Sequence, residues 1–484
     1  MDLTATRARA TVGPGGVLRP YARERLAAVS RAAVSRWRAE APLAREVWSL
    51  AWPAITHMLL LTLIFLAGRV MVGRYSSTAL ASLQISGTLT WCTYALFTAF
   101  SSGTLAVVAR SVGAGDRAAA ARAARSAILF ALVLGAVVAL PIRVANGALL
   151  RLLFPHADAA VLADAGAYLH IVMPMLPLAF VEAIAAASLQ GSGDTRTPLL
   201  VATAGNLVNV VASYALIFGR LGAPELGIRG AAIGNAATMG IEGLLLAAAL
   251  FSRRSPLPLR TTPFERGADA AALRRVLRVS GPAFAEKGAY QGGYLAFVAI
   301  IGLLGALSMA ANQAIVAIEA VCFLSADGFG VAAGAMVAQK LGAGRPGEAS
   351  RAGWLAAGMA MALLTTIGVL FVAAPRLLVS AFSREPEIVA LASRALMVAG
   401  LAQPFMAFAT VTGMGLRGAG ATRTVLVVTV ICAVVIRLSA TYLFAITLGW
   451  GLVGVWMGST CDWVCRSAML AVAYRRGRWR AVRV

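Results

Sequence analysis

Charged residues are scarce in this chain: they form 13% of its 484 residues, whereas hydrophobic residues form 60% and the mean hydropathy is +0.79. Soluble globular proteins carry about 25% charged and about 45–50% apolar residues. The shortage of charge therefore excludes a disordered chain and nearly every class of soluble enzyme. The composition fits a polytopic membrane protein, in which each helical span needs about 20 residues.

Histidine and cysteine are also few, with three His and five Cys and no CxxC pair. The three His residues lack the spacing of metal ligands, and we expect the cysteines to be free and buried in apolar spans. The sequence contains no phosphate-cradling glycine loop and no nucleophile elbow. We therefore predict a protein that is not an enzyme, with no metal site and no cofactor.

Acidic residues are outnumbered, because 20 Asp and Glu stand against 43 Lys and Arg and give a net charge of +23. The bases lie between apolar stretches rather than in one patch, which argues against nucleic-acid binding. The apolar stretches predict an all-α membrane protein with twelve transmembrane helices. They lie near residues 48–73, 79–109, 126–146, 166–190, 197–219, 229–252, 280–302, 309–338, 352–373, 390–416, 425–447 and 451–473.

The bases are distributed unequally between the two sides that these twelve helices define. One side receives 31 of the 43 Lys and Arg, including nine Arg in residues 1–46, and the other side receives seven. Cytoplasmic loops of membrane proteins carry the excess of Lys and Arg. The pattern predicts a multi-pass protein of the plasma membrane with both termini in the cytoplasm.

The chain contains an internal repeat. Residues 53–115 align without gaps on residues 282–344 at an offset of 229, and LQGSGDTRT at 189–197 matches LRGAGATRT at 416–424. Because the repeat unit spans six helices, an even number, the two halves have the same orientation in the membrane. We predict two six-helix lobes related by a parallel internal repeat, which is the architecture of an alternating-access carrier.

The repeat also sets the expected domain boundaries. A basic N-terminal tail covers residues 1–46 and an N-lobe covers 47–252. A cytoplasmic linker follows over 253–279, a C-lobe over 280–473, and a basic tail over 474–484.

Short motifs at the ends of these helices resemble those of the multidrug and toxic compound extrusion (MATE) family. They are GAGD at 113–116, GAGR at 342–345, QGSGDTRTP at 190–198, RGAGATRT at 417–424 and GIRGAAIG at 227–234. Asn209, within the fifth helix, matches the family too. The resemblance covers the chain from about Trp48 to Tyr474. It implies a cation-coupled antiporter that expels organic, often cationic, compounds. We expect the arginines of these turns to act as hinges and anchors at helix ends and lipid head groups.

The chain departs from the family where ion-coupling acids are expected. Gly68, Ser213 and Tyr290 occupy the positions of acids used by different branches of the family, and residues 391–416 contain no Asp or Glu. The coupling carboxylates must therefore be sought among the other acids of the spans.

An ionisable residue inside a span costs at least about 2.5–3.5 kcal/mol on insertion scales, so each is a functional candidate. Glu319 is ten residues into the eighth helix, roughly 15 Å deep, and Asp327 is on nearly the same face. We predict that these two couple transport to an ion, with Glu182 and Glu286 as the next candidates. Glu242 and Asp462 are expected to be structural.

The remaining candidates concern the wall of a central cavity. Arg69 and Arg437, together with Asn209, are candidates for its polar or charged lining, and Arg437 should have a carboxylate partner in Asp462 or Asp327. Further candidates for the cavity lining are Gln84, Gln313, Tyr290 and Trp91.

The favoured function is secondary active export of small organic compounds in exchange for H⁺ or Na⁺ by a monomer in the lipid bilayer. One alternative is a flippase for a lipid or a lipid-linked saccharide, whose mark would be a basic cavity. A more distant alternative is a membrane receptor or scaffold that transports nothing.

The topology can be tested directly. A reporter fused after Val484, or a cysteine label placed near Arg266, should lie in the cytoplasm because both follow an even number of spans. Labelling of either site from outside intact cells would contradict the count of twelve helices.

Overall fold

The computed structural model describes the backbone of residues 20–482 and the side chains of residues 40–60 and 67–482. Most of the predicted N-terminal tail, 1–46, lies outside the described side chains, and residues 47–484 form one compact unit.

Each predicted span falls on a helix. The helices are α1 (Pro20–Tyr75), α2 (Ser77–Gly113), α3 (Arg117–Val144), α4 (Ala159–Gly191), α5 (Arg196–Phe218), α6 (Ile228–Phe251), α7 (Arg266–Gly302), α8 (Ala306–Gly342), α9 (Pro346–Ala373), α10 (Pro386–Gly418), α11 (Thr422–Thr447) and α12 (Gly451–Arg476).

Nine of these helices are long and apolar enough to cross a membrane, counted over the described residues. The other three, α1, α7 and α12, span at least 26 residues each. The described residues contain no β-strand, so the predicted all-α class is confirmed.

Several helices depart from regular α geometry. α2 is interrupted at Thr98, α4 contains a 3₁₀ turn at Met173–Met175, and α11 contains π-helical turns at Val430–Ile436 and Leu443–Thr447. Breaks of this kind are frequent at functional positions in helices. They were not predicted from the apolar pattern, which ran uninterrupted across them.

The repeat is present in three dimensions. Short helices follow α3 and α9 at equivalent places, Asn146–Leu153 and Pro375–Ser380. Gly234 of α6 packs against Ser213 of α5, and its equivalent Gly458 of α12 packs against Thr441 of α11. The two lobes are therefore built by the same helix packing.

The lobes meet most tightly at one end of the bundle, here called the basic end, where α2, α4, α8 and α10 finish in the glycine-rich turns. Gly113 packs on the backbone carbonyl of Gln339, and its equivalent Gly342 packs on that of Arg110. Arg110 and Gln339 are themselves repeat equivalents. The contact is thus symmetric across the axis that relates the lobes, and it requires residues without a Cβ.

Contacts between the lobes continue from the basic end to the middle of the helices. Phe284 of α7 lies between Phe97 and Phe100 of α2, with ring centroids 5.5 and 5.7 Å apart. Towards the opposite end, Gln84 of α2 and Gln313 of α8 are exposed. The lobes are therefore in contact from the basic end to the middle of the helices.

The predicted linker, 253–279, is shorter in the structure because α7 already begins at Arg266. Arg125 of α3 holds this segment by donating to Asp269 at 2.7 Å and to the carbonyl of Thr262 at 2.8 Å. Burial acts to raise the pKa of Asp269, but the hydrogen bonds and charge of Arg125 outweigh it and lower the pKa. The start of α7 is thereby fixed to the N-lobe.

The symmetric glycine contact predicts the effect of adding a side chain there. Gly342→Val should lower the free energy of unfolding by about 1–3 kcal/mol, because the helices must separate to admit the new methyl groups. The matched control is Gly281→Val, since the Cβ position of Gly281 has no atom of another residue within 4 Å. Thermal unfolding of the purified protein in detergent measures both, and equal destabilisation would contradict the packing argument.

Candidate functional site

Ionisable side chains inside the bundle form three groups. The first joins α7, α8 and α10 towards the basic end, and the second lies deep in the C-lobe between α7, α11 and α12. The third lies in the N-lobe between α2, α4 and α6. Their members are Glu286, Lys287, Asp327 and Arg417 in the first, Arg437, Asp462 and Arg466 in the second, and Glu182 and Glu242 in the third.

The first group is centred on an ion pair. Arg417 donates to both carboxylate oxygens of Glu286, at 2.5 and 3.0 Å, and the Thr429 hydroxyl donates to the same carboxylate at 3.0 Å. Asp327 is half-buried and interacts electrostatically with Lys287 and Arg417. Two acids thus face two bases, and the group is balanced in charge.

This arrangement corrects the expected role of one turn arginine. Arg417 opens the RGAGATRT motif and was predicted to anchor a helix end or a lipid head group. It instead points into the bundle, because Glu286 is buried and an ionised carboxylate there needs a cationic partner. Glu286 itself is held by three hydrogen bonds.

In the second group, two arginines share one acid. Arg437 lies 2.6 Å from Asp462, and Arg466 lies 2.7 Å from the same carboxylate. Arg437 is 4% exposed, and its guanidinium lies 5.5 Å from the ring of Trp463 and 5.7 Å from that of Tyr290. The prediction that Arg437 has a carboxylate partner is confirmed, and the partner is Asp462.

Glu319 lies between the two groups of the C-lobe but belongs to neither. Its carboxylate accepts a hydrogen bond from the Gln403 amide of α10 at 3.2 Å, and it interacts electrostatically with Arg437. Asp327, on the same helix, interacts with Lys287 and Arg417 instead. The two acids predicted to act together therefore have different neighbours.

The N-lobe group is sparser. Glu182 of α4 accepts a hydrogen bond of 2.8 Å from the hydroxyl of Tyr94 on α2. Asn209 of α5 is buried, and its Oδ1 lies 3.5 Å from the hydroxyl of Ser213. The sequence did not single out Tyr94 as a partner of Glu182, because the two are 88 residues apart and no motif links them.

The remaining predicted residues are dispersed. Gln84, Gln313 and Trp91 are exposed, Tyr290 is half-buried beside the arginines of the second group, and Arg69 is half-buried near the far end of α1. The structure brings Tyr290 together with Arg437 but not with the other three cavity candidates. All five cysteines are free, as predicted, but only Cys322 and Cys432 are buried, whereas Cys461 and Cys465 are half-buried and Cys92 is exposed.

Comparison with known families gives the same twofold organisation. The MatE family model matches residues 53–215 and again residues 282–443. The two matched segments begin at Pro53 and Pro282, which are equivalent positions of the repeat. Together they cover more than half of the chain.

Individual relatives extend over nearly the whole chain. A probable multidrug resistance protein NorM of Thermotoga maritima is 27% identical over 90% of this chain and 93% of its own length. The multidrug resistance protein MdtK of Edwardsiella ictaluri is 27% identical over 89% of this chain and 95% of its own.

Solved structures share the fold. One of them, described as the outward-facing conformation of a multidrug resistance MATE family transporter, superposes with a TM-score of 0.81 at 21% identity. It covers 90% of this chain and 96% of its own. A Vibrio cholerae MATE transporter superposes with a TM-score of 0.83 at 17% identity, over 90% and 97% of the two chains.

The shared acid of the second group predicts a large stability effect. Asp462→Asn leaves two buried guanidinium groups without a full negative charge, which should cost about 3–5 kcal/mol. Glu387→Gln, in an exposed first turn, is the control and should be nearly neutral. Chemical unfolding in detergent measures the difference. A loss of unfolding free energy below about 1 kcal/mol for Asp462→Asn would show that the shared carboxylate does not stabilise the fold to this extent.

Proposed function

Because the chain belongs to the MatE family, we propose that it is a secondary active antiporter that exports small organic, often cationic, compounds in exchange for H⁺ or Na⁺. The family is one of transporters rather than enzymes, and the relatives named as multidrug resistance proteins align over most of this chain. The chain is a multi-pass membrane protein, and in this proposal it works as a monomer.

The observation that carries the proposal is the contact between the lobes at the basic end, which in this proposal closes a central cleft on one side. The lobes touch through the symmetric Gly113 and Gly342 contact at the basic end and through Phe284 at mid-height. Two lobes joined at one end can rock about that contact, so that a central site is exposed to each side of the membrane in turn. A fixed pore would not need the duplicated lobes.

The distribution of Lys and Arg indicates which end of the bundle faces the cytoplasm. If the basic end faces the cytoplasm, as the excess of Lys and Arg favours, the structure corresponds to an outward-facing state with both termini inside. Cargo would then be released outward from this state. Arg110 and Lys340 lie near the closed end, in keeping with that orientation.

Among the coupling candidates, Glu319 is the best placed. It is half-buried at mid-depth and its hydrogen-bond partner is a neutral amide, so it can gain and lose an ion without breaking a salt bridge. Asp327 faces Lys287 and Arg417, and Glu286 is fixed by Arg417. Glu319 and Asp327 remain the favoured pair, with Glu182 and Glu286 behind them.

The flippase alternative depended on a basic cavity formed by Arg69 and Arg437. Arg437 is buried and paired with Asp462, so it does not line an open basic cavity, which weakens that alternative. The predicted cavity residues Gln84, Gln313 and Trp91 are exposed and neutral, and neutral side chains suit organic cargo better than a phosphate group.

Transport in inside-out vesicles tests the proposal. With an imposed H⁺ or Na⁺ gradient, the wild-type protein should accumulate a fluorescent cationic dye. Glu319→Gln and Asp327→Asn should each lose most of the gradient-driven uptake but still bind dye, because the amides keep the volume and remove the exchangeable charge. Glu387→Gln, which is exposed, should transport as the wild type does.

Two results would go against the proposal. Lipid scrambling without dye uptake under either gradient would favour the flippase. Parental transport rates with unchanged pH dependence in both Glu319→Gln and Asp327→Asn would move the coupling role to Glu182 or Glu286.

A further inference from the structure

The chain folds back on itself after α12, at the basic end, and forms a short hook over residues 477–482. Gly477 ends α12 in the left-handed region, with a φ of 70°, and a 3₁₀ turn follows at Arg478–Ala481. The Trp479 ring is 3% exposed and stacks on the Tyr474 ring, with centroids 4.6 Å apart. Its indole N–H donates to the Tyr474 carbonyl at 2.8 Å. The hook is therefore a packed part of the C-lobe.

The hook is held against the start of α9. The Tyr474 hydroxyl occupies the position that a Cβ of Gly353 would take, so a side chain at 353 would displace the tyrosine. The same hydroxyl lies 3.3 and 3.4 Å from the carbonyl oxygens of Ala349 and Ser350. Arg480 donates to the Ser350 hydroxyl at 3.1 Å. Contacts from both ends of the hook thus fix its position on α9.

Arginines on and beside the hook form an exposed surface. The guanidinium of Arg475 lies 5.7 Å from the ring of Trp354 on α9. Glu348, the acid nearest in sequence on α9, lies within ion-pair distance of Lys340 and Arg345 instead. Among the side chains that the structure describes, no Asp or Glu forms an ion pair with these exposed arginines. They are Arg351, Arg475, Arg476, Arg478 and Arg480, here called the C-terminal basic surface.

The equivalent place in the N-lobe contains an acid. Arg125 of α3 and Trp354 of α9 are repeat equivalents, because each lies eight residues after the first residue of its helix. Arg125 contacts the segment after α6, and there it pairs with Asp269 at 2.7 Å. Trp354 contacts the end of α12, but residues 475–484 contain five arginines and no Asp or Glu. In the C-lobe the positive charge is thus left for an anion from outside the chain.

The depth of the C-terminal basic surface along α12 indicates what kind of anion fits. Val472 is 47% exposed on the outside of α12, and Arg475 follows one turn later on nearly the same face. At a rise of 1.5 Å per residue, Arg475 lies about 4.5 Å further along the helix. Trp rings such as that of Trp354 are typical of the boundary between hydrocarbon and head groups. A molecule that meets this surface has a charged head and apolar chains.

We propose that the C-terminal basic surface binds the head group of an anionic phospholipid. The phosphate accepts hydrogen bonds from the exposed guanidinium groups, which favour phosphate oxygens, and the acyl chains extend along α12 past Val472. The Trp479 hook holds the arginines together before the lipid arrives, so less order has to be imposed on binding. This lipid site does not depend on the antiport proposed above, because it can be measured on purified protein that transports nothing.

The experiment measures lipid binding to the detergent-purified protein by native mass spectrometry, with phosphatidylglycerol competing against phosphatidylcholine. The variant is Arg475→Gln/Arg478→Gln/Arg480→Gln, whose three side chains are exposed. Its affinity for phosphatidylglycerol should fall about a hundredfold, because each basic group near an anionic surface contributes about fivefold. Binding of phosphatidylcholine should not change.

The matched control removes the same charge from the segment after α6, which the repeat relates to the hook. It is Arg253→Gln/Arg254→Gln/Arg260→Gln, at three exposed arginines, and its affinity for phosphatidylglycerol should stay close to that of the wild type.

Trp479→Ala tests the hook itself, because it keeps every arginine and removes the ring that stacks on Tyr474. The protein should remain monodisperse, and its affinity for phosphatidylglycerol should fall about tenfold as the arginines lose their fixed arrangement. Glycerol phosphate, which has the head group without the chains, should bind the wild type far more weakly than phosphatidylglycerol does.

Three results would overturn the proposal. Equal losses in the two triple variants would show a general attraction between bases and lipid rather than a site. Wild-type affinity in Trp479→Ala would show that the hook has no part in binding. Equal affinities for glycerol phosphate and phosphatidylglycerol would assign the surface to a soluble phosphate compound instead of a lipid.

Discussion

A charge that is moved from water into an apolar helical bundle must be neutralised, and the placement of the polar residues follows from this constraint. In the C-lobe, Glu286 is held by Arg417 and Asp462 pairs with two arginines, so each of these buried carboxylates has a cationic partner within the lobe. Such pairs add little net stability relative to apolar packing, but breaking one is costly. They therefore fix which helices are neighbours.

The N-lobe obeys the same constraint in another way. It has the same helix packing, yet neutral or acidic residues replace the arginines at equivalent positions, as Asn209 and Glu242 show. Duplication thus supplied two copies of one scaffold, and the substitutions gave the copies different electrostatic properties.

The contact between the lobes depends on a different property, the close approach of the backbones at the basic end. Gly113 and Gly342 let α2 and α8 approach so that each meets the carbonyl of the other helix. In the proposed transport cycle, this small, symmetric contact would serve as a pivot, because few side chains would have to repack if the lobes rock. The aromatic contact of Phe284 with Phe97 and Phe100 lies above that pivot and closes the cleft from the side.

The sequence by itself determined the class of fold, the positions of the twelve helices and the duplication, because these depend on apolar runs and local similarity. It also indicated that Arg437 needed an acid, since a base so deep in a helix cannot reach water. Only the tertiary structure decided which groups meet. Glu286 and Arg417 are 131 residues apart and Tyr94 and Glu182 are 88 apart, so no local pattern relates them. Helix rotation and packing set those distances, and they depend on contacts between all the neighbouring helices at once.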